Sequence, residues 1–280
     1  MVIDCKKISD EHRAELKQKI DAMKRKPGLA VIVVGNNSAS MVYVKNKIKA
    51  CKEVGIYSQV CIMRDKAKTG DVIDAIHDFT LDRNIDGIIV QLPLPKHIDE
   101  FAVVNEIQET MDVDALTAVN AGKLMQGNYE FVPCTPKGII SILRHEKINM
   151  DGANCVIIGR SDIVGKPMAH MMMRENATVT VCHSHTKNLP DICKQADIVI
   201  AAVGKPKFVT ADMVKDGATV IDVGINRDAN GKLVGDVDFE NVSKKASFIT
   251  PVPGGVGLMT VTSLLENTYK AACLRGDVEL

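Results

Sequence analysis

Residues 155–167 read CVIIGRSDIVGKP, and the reading of this stretch decides the fold. An apolar run meets Gly159, then Arg160 and Ser161, then Gly165 and Pro167. A buried run closed by glycine and followed by a helix-starting proline predicts a strand, a tight turn and a helix. The first amides of such a helix are unpaired and electropositive, which suits a phosphate. The glycines stand as G-x5-G, and no G-x-G-x-x-G is present. Alone, the turn fits an ordinary βα loop as well as a cofactor site.

The next strand, ATVTVC (177–182), sharpens the choice. Sites that bind NAD place an acid near the end of that strand, for the ribose 2′-hydroxyl. Here the chain continues CHSHTK, with no acid. Arg160, Ser161 and Ser184 can bind a 2′-phosphate that a carboxylate would repel. NADP is therefore favoured over NAD, with Asp162 the one opposing charge in the turn. AAVGKP (201–206) and VIDVGIN (220–226) end further strands in glycine, where a nicotinamide rim or plain strand-to-loop turns fit equally. His183 and His185 are expected on one strand face. An unpartnered pair is a poor metal site, and no metal is expected.

Strand-like and helix-like segments alternate along the whole chain, which predicts an α/β fold with mainly parallel sheets. The first series has a lead-in helix at 9–25, then strands at 29–34, 56–63 and 87–92. Helices are expected at 38–54, with Ser38 as N-cap and Gly55 as stop, and from Thr69 to Arg83. Helix-like FAVVNEIQ (101–108) leads into an irregular stretch at 110–128. A second series starts at CTPKGIISIL, with Thr135 as N-cap and Pro136 at the first helical position. Its strands are expected at 154–158, 178–182, 197–203, 218–223 and 247–250. The glycine-rich PVPGGVGLMT (251–260) precedes a last helix at 261–274. Two such series predict two lobes with a cleft.

The chain has 280 residues, with 35 basic and 35 acidic side chains. That balance argues against nucleic acid or an anionic membrane as main partner. No apolar run nears the roughly 20 residues of a membrane span, and the N-terminus lacks a signal-peptide core. A cytoplasmic protein is expected, its eight scattered cysteines reduced.

Three further stretches carry chemistry. In SMVYVKNKIKAC (40–51), Val44, Ile48 and Cys51 form a core stripe, while Tyr43 and Lys47 share the neighbouring face. VQLPLP (90–95) puts Gln91 at a strand's carboxyl end, where ligands of open α/β sheets lie. DVDAL (112–116) puts two carboxylates in the irregular stretch. Each also has a bland reading, as an amphipathic helix, a turn residue and a solvated acidic turn.

Together these pieces resemble the bifunctional methylenetetrahydrofolate dehydrogenase/cyclohydrolase family. The matching stretches are YVKNK (43–47), VQLPLP, DVDALTAVNAGKL (112–124), FVPCTPKGI (131–139), GRSDIVGKPM (159–168), ATVTVCHSHT (177–186), VIDVGIN, GDVDF (235–239) and ITPVPGGVGLMT (249–260). They follow the family's order over nearly the whole chain. The resemblance implies NADP-linked oxidation of 5,10-methylenetetrahydrofolate to the methenyl cation, then hydrolysis to 10-formyltetrahydrofolate. That is one-carbon chemistry of the kind that feeds purine biosynthesis. It implies a homodimer and two lobes, a catalytic one (1–116 plus 262–280, the last helix packing back) and a Rossmann-like NADP-binding one (117–261).

Site roles follow by motif. The resemblance makes Lys47 the catalytic lysine, Tyr43 the pterin-side tyrosine and Gln91 the lysine's partner. Asp114 holds the pterin, and Leu92, Pro253, Gly254 and Gly255 contact folate. Gly159, Arg160, Ser161, Ser184 and Ile225 contact the cofactor. A neutral Lys47 amine, favoured beside a cationic substrate, could manage the proton of hydrolysis. Three positions depart from the family. Ala115 stands where glycine is usual, Leu258 where proline is usual, and His185 where many relatives carry lysine or arginine. Two other readings stay open at this level. One is a dehydrogenase that lacks the hydrolase step or prefers NAD. The other is a non-catalytic binder, which would be expected to lose Lys47 or Gln91.

Overall fold

GLAVIVV leaves no polar face, and every residue of the resulting strand, β1 (Gly28–Val34), is buried. A strand apolar on both faces needs cover on both, which is the condition of a parallel α/β sheet. β1 is the middle strand of a three-stranded parallel sheet, flanked by β2 (Tyr57–Met63) and β3 (Gly87–Val90). The computed structural model describes residues 1–35 and 37–276, with the side chains of 38–40 set aside.

Two compact units are present. One comprises Glu11–Cys134 and Val261–Leu280, the other Met1–Asp10 and Thr135–Thr260. Residues 117–134 thus fall with the first sheet, beyond the division expected after 116. The first ten residues fall with the second sheet, because Ile3 donates to Ile249 O and Ile249 donates to Met1 O. Nothing in MVIDC signals that pairing.

In the first unit β1 leads into α2 (Ser38–Val54), β2 into α3 (Thr69–Leu81) and β3 into α4 (Glu100–Asn105). Helix α2 keeps its expected bounds and stops at Gly55, whose φ of 87° is cheap only without a side chain. Ser38 opens α2, but as an N-cap it lies outside the described side chains. Val44 and Cys51 are buried and Ile48 packs beside them in the core with Leu29, Val31 and Val33. The stripe thus turns inward and Tyr43 and Lys47 sit off it. Leu264, Leu265, Ala271 and Ala272 of α10 (Val256–Leu274) join the same core. The lead-in helix α1 spans Cys5–Asp21, four residues earlier than expected at each end. The stretch expected to be irregular contains α5 (Ala118–Gln126). Thr117 accepts the Asn120 amide at its start, and Gly127 ends it with φ 80°. Periodicity over so short a helix is weak; the cap and stop residues were the available signal.

The second unit is a five-stranded parallel sheet in the order β10-β7-β6-β4-β5. Its strands are β4 (Asn154–Ile158), β5 (Thr178–Cys182), β6 (Ile198–Ala201), β7 (Thr219–Asp222) and β10 (Phe248–Ile249). Between β7 and β10 a small antiparallel pair, β8 (Asn226–Arg227) with β9 (Leu233–Val234), is added. Helix α6 (Cys134–His145) precedes β4, α7 (Gly165–Arg174) follows it, α8 (Leu189–Cys193) follows β5, and α9 (Phe239–Val242) precedes β10. Chain order reverses at β4, with β5 on one side and β6 on the other. Ligands of such sheets bind at that reversal, beyond the strand ends.

Three further helix starts differ from expectation. α6 begins at Cys134, so Thr135 and Pro136 are its second and third residues, and Thr135 Oγ1 meets Thr260 Oγ1 at 3.0 Å. α7 begins two residues before Pro167. α10 begins at Val256, so Gly257 and Leu258 belong to its first turn and not to the preceding loop. There the Leu258 amide donates to Gly255 O at 3.1 Å, a bond that a proline could not make.

Candidate active site

Lys47 lies one turn after Tyr43 on α2, and its Nζ donates to Gln91 Oε1 at 3.0 Å. Gln91 prolongs β3, its amide donating to Ile32 O of β1 at 2.8 Å. Its own Nε2 donates to Leu92 O at 2.9 Å. With the NH2 side facing a carbonyl, the oxygen side must face the lysine, so the amide's orientation is set by its bonds. The amine and the amide, 44 residues apart, are thus brought into contact. Leu92 lies half-buried beside Gln91, and Tyr43 is exposed on the lysine's side of the helix.

The two acids of DVDAL are separated by environment. Asp112 is buried and accepts from the amides of Leu116 and Thr117 and from Asn120 Nδ2, at 3.2, 2.9 and 2.8 Å. Burial raises its carboxyl above the ordinary range. It is a structural staple for the turn. Asp114, half-buried two residues on, has no hydrogen-bond partner for its carboxylate among the described residues, so it can accept a ligand's donors.

Ala115 follows it with φ 55°, a left-handed conformation that favours glycine, while its methyl is buried in the core. At this position, where the family resemblance led glycine to be expected, alanine keeps a glycine-like backbone. Ala115→Gly is expected to change stability by less than about 1 kcal/mol, since relieved strain and one lost buried methyl nearly cancel. Ala115→Val is expected to cost about 2–3 kcal/mol, because a β-branched residue tolerates neither the φ nor the crowding. Urea denaturation of the two variants distinguishes them.

In the second unit the opening stretch forms its turn at the chain reversal. Gly159 has φ 134°, and a Cβ there would sit 2.2 Å from Ala202 O. A Cβ on Gly165 would sit 2.2 Å from Gly159 O. Both glycines are therefore needed for strand, turn and helix to close on one another. Ser161 Oγ accepts the amides of Val164 and Gly165 at 3.2 and 3.4 Å, capping the helix start. Its own O–H remains able to donate. Arg160 is exposed in the same turn. Asp162, the opposing charge in sequence, pairs with Lys166 one turn along. Ser184 lies in the exposed turn just past β5, the strand beside β4.

His183 and His185 lie beyond β5 in that turn, contrary to their expected place on the strand. The His185 amide donates to His183 Nδ1 at 3.1 Å, and the rings meet edge-on at 5.9 Å. Among the described residues no three metal-ligating groups gather. Ile225 is 46% exposed after β7, against Gly257. Pro253 and Gly254, with φ 91° at Gly254, lie just before α10, and Gly255 is too close to Pro251 O for a Cβ.

Sequence reading gave no role to Asp222 and Asp236. Asp222 ends β7, and Asp236 follows a glycine in GDVDF. Both are buried, and each accepts several backbone amides. The available signal was an acid beside glycine near strand ends, the pattern of a carboxylate that backbone must approach closely.

Comparison with known proteins points to one family. Residues 3–114 match the family model described as tetrahydrofolate dehydrogenase/cyclohydrolase, catalytic domain. Residues 133–275 match its NAD(P)-binding domain. The chain is 50% identical over 281 residues to a "Bifunctional protein FolD" of Acetivibrio thermocellus, covering 99% of each. The crystal structure of a bifunctional FolD from Campylobacter jejuni superposes with a TM-score of 0.96 at 47% identity, over 98% of this chain and 99% of that one. A Trypanosoma brucei FolD, solved with NADP cofactor and inhibitor, superposes with a TM-score of 0.94 at 36% identity, over 99% and 98%.

Proposed function

The chain belongs to the tetrahydrofolate dehydrogenase/cyclohydrolase family, and we propose that it carries both of the family's activities on the residues described above. It oxidises 5,10-methylenetetrahydrofolate to the methenyl cation with NADP, then hydrolyses the cation to 10-formyltetrahydrofolate. The observation that carries this reading is the contact between Lys47 and Gln91 at the carboxyl end of β3.

Hydrolysis needs a group that takes a proton from attacking water and returns one to the departing ring nitrogen. Lys47 takes this role, and its 3.0 Å contact with the neutral Gln91 Oε1 supports the assignment. Asp114 accepts from the pterin's amide and amino edge, and Tyr43 covers the pterin. Leu92, Pro253, Gly254 and Gly255 contact the folate. Incubation with methylenetetrahydrofolate and NADP tests the first step by reduced-cofactor absorbance, and decay of methenyl absorbance tests the second. Failure to form reduced cofactor, or persistence of the methenyl compound at its uncatalysed rate, would sink the corresponding half.

The second unit's residues fit NADP. Gly159 lets the turn close against Ala202 O, and the amides at the start of α7 are taken up by Ser161 and Val164, so the side chains of the turn are what remain for a phosphate. Arg160, Ser161 and Ser184 suit a 2′-phosphate, with no free carboxylate in the turn now that Asp162 is paired. Ile225 supports the nicotinamide end. When bound, the nicotinamide accepts the hydride, and the protein's part is to orient it.

The active form we propose is a homodimer. What supports it is β2, an edge strand of its sheet that leaves Tyr57 49% and Ile62 59% exposed. A bare apolar edge invites pairing with a second copy. Ile62→Lys is expected to shift the sedimenting species from dimer to monomer at micromolar concentration. An unchanged dimer would exclude this edge. A cytoplasmic location is proposed on the eight cysteines, none of which is in a disulfide. Burial pushes the thiols of Cys5, Cys51, Cys155 and Cys193 up to about 12, so they are inert packing groups. No described helix is long and apolar enough to cross a membrane.

A further inference from the structure

The GDVDF stretch enters none of the roles above, yet it supplies the most heavily engaged carboxylate of its unit. Asp236 is 0% exposed. Its Oδ2 accepts the amides of Val203 and Gly204 at 2.6 and 3.0 Å. Its Oδ1 accepts the Lys205 amide at 2.9 Å and Asn226 Nδ2 at 2.8 Å. Three consecutive amides of the loop after β6 therefore wrap one carboxylate, which also ties the residue following Ile225.

Asp222 completes the arrangement from below. Its Oδ1 accepts the amides of Gly224 and Asp236 at 3.0 and 2.9 Å, and its Oδ2 accepts Val237 at 3.0 Å. One acid thus holds the backbone that carries the other. The glycines on either side are forced by this packing. A Cβ on Gly224 would lie 2.3 Å from the Asp236 carboxyl carbon, and one on Gly235 would lie 1.8 Å from Asp222 Oδ2. Burial, with Asp236 nearby, pushes the Asp222 carboxyl up to about 6 against the pull of its amides.

The surface above the two acids is the carboxyl rim of β6 and β7. Residues 204–206 and Ile225 are exposed there, and Ala202 O is the atom that presses on Gly159. The acids themselves are covered, so neither touches a ligand. We propose that Asp236, carried by Asp222, is a positioning residue for hydride transfer: it fixes the backbone of 203–205 and the residues flanking Ile225, and through them the rim on which the nicotinamide lies. The proposal rests on the assignment of this unit to NADP. A carboxylate suits the task because it has about four acceptor sites for four donors, whereas an amide offers one oxygen and presents N–H groups to N–H groups.

The test uses the full-length enzyme and both of its reactions. Asp236→Asn keeps the shape and breaks part of the cradle. Its dehydrogenase kcat is expected to fall about tenfold to 100-fold, as a displacement near 1 Å of the reacting geometry would cause. Hydrolysis of added methenyltetrahydrofolate, which transfers no hydride, is expected to stay within about twofold of wild type by the same argument. KM for NADP is expected to move less than kcat, because the phosphate-binding turn keeps its residues. If both activities fall together, the acid is merely structural and the proposal is overturned. If a folded Asp236→Asn oxidises substrate at the wild-type rate, it is overturned as well. Should Asp236→Asn not fold, Asn226→Ala removes one donor from the cradle and must show the same split at smaller amplitude. A wild-type enzyme that reduces no NADP would refute the cofactor assignment, a result distinct from failure of the variants.

Discussion

Lys47→Met is expected to lower methenyltetrahydrofolate hydrolysis by about 10²- to 10⁴-fold, the range over which a positioned acid–base group contributes. Methionine keeps an unbranched apolar stem on α2, so the packing of Val44, Ile48 and Cys51 is left in place. The amine is what goes, and with it the contact to Gln91 Oε1 at 3.0 Å. Oxidation of methylenetetrahydrofolate should suffer far less, because hydride transfer needs orientation and no proton shuttle. The comparison of the two rates in one preparation is therefore the measurement. Hydrolysis at the wild-type rate would remove Lys47 from the mechanism. Equal loss of both rates would make it a binding residue instead.

The partner residue refines the argument. Gln91 is held at both ends, by its backbone bond to Ile32 O and by its Nε2 bond to Leu92 O. It presents its oxygen to the lysine with little freedom to turn away. A carboxylate at that position would stabilise the ammonium form and oppose proton release. The neutral amide orients the lysine without adding a counter-charge.

Much of this was legible in the chain because the chemistry sits on regular elements. The spacing of Val44, Ile48 and Cys51 fixed which face of α2 turns inward, and so which face Tyr43 and Lys47 could occupy. The run at 155–158 ending in Gly159 fixed the strand and turn at the sheet's reversal point. The pairing of Lys47 with Gln91 was legible only through resemblance, since no local pattern joins two residues 44 apart. Other features had no local signal at all. The Asp236 cradle depends on three loops meeting beyond β6, β7 and β9. The first residues join β10 by tertiary pairing. Asp162 read as a charge opposed to phosphate until its partner Lys166 came within reach on the first turn of α7. Helix starts were missed where proline or glycine sat inside the first turn, because both are tolerated there and neither marks the boundary uniquely.

Asp86→Ala is expected to destabilise the protein by about 3–5 kcal/mol, the cost of stripping one partner from a buried ion pair. RNID (83–86) precedes β3 and carries nothing in sequence that distinguishes it. In the fold, Asp86 is 1% exposed and receives Arg25 in a two-pronged pair, Nη1 to Oδ2 at 2.9 Å and Nη2 to Oδ1 at 2.6 Å. Oδ2 also accepts the Gly28 amide at 2.8 Å, where the chain enters β1. Arg275, at the end of α10, donates to Ile85 O and lies 3.9 Å from Oδ1. One carboxylate thus joins the entry to β1, the entry to β3 and the last turn of the C-terminal helix. Alanine leaves the Gly28 amide buried without its acceptor and two arginines facing one another. Asparagine keeps one acceptor and the volume, so Asp86→Asn should lose less. The effect is read from the urea midpoint. Activity per folded molecule should stay unchanged in both variants, since Asp86 lies at the amino ends of strands whose carboxyl ends carry Lys47's partner. A midpoint shift worth under about 1 kcal/mol would place this pair with surface ion pairs, whose removal costs little.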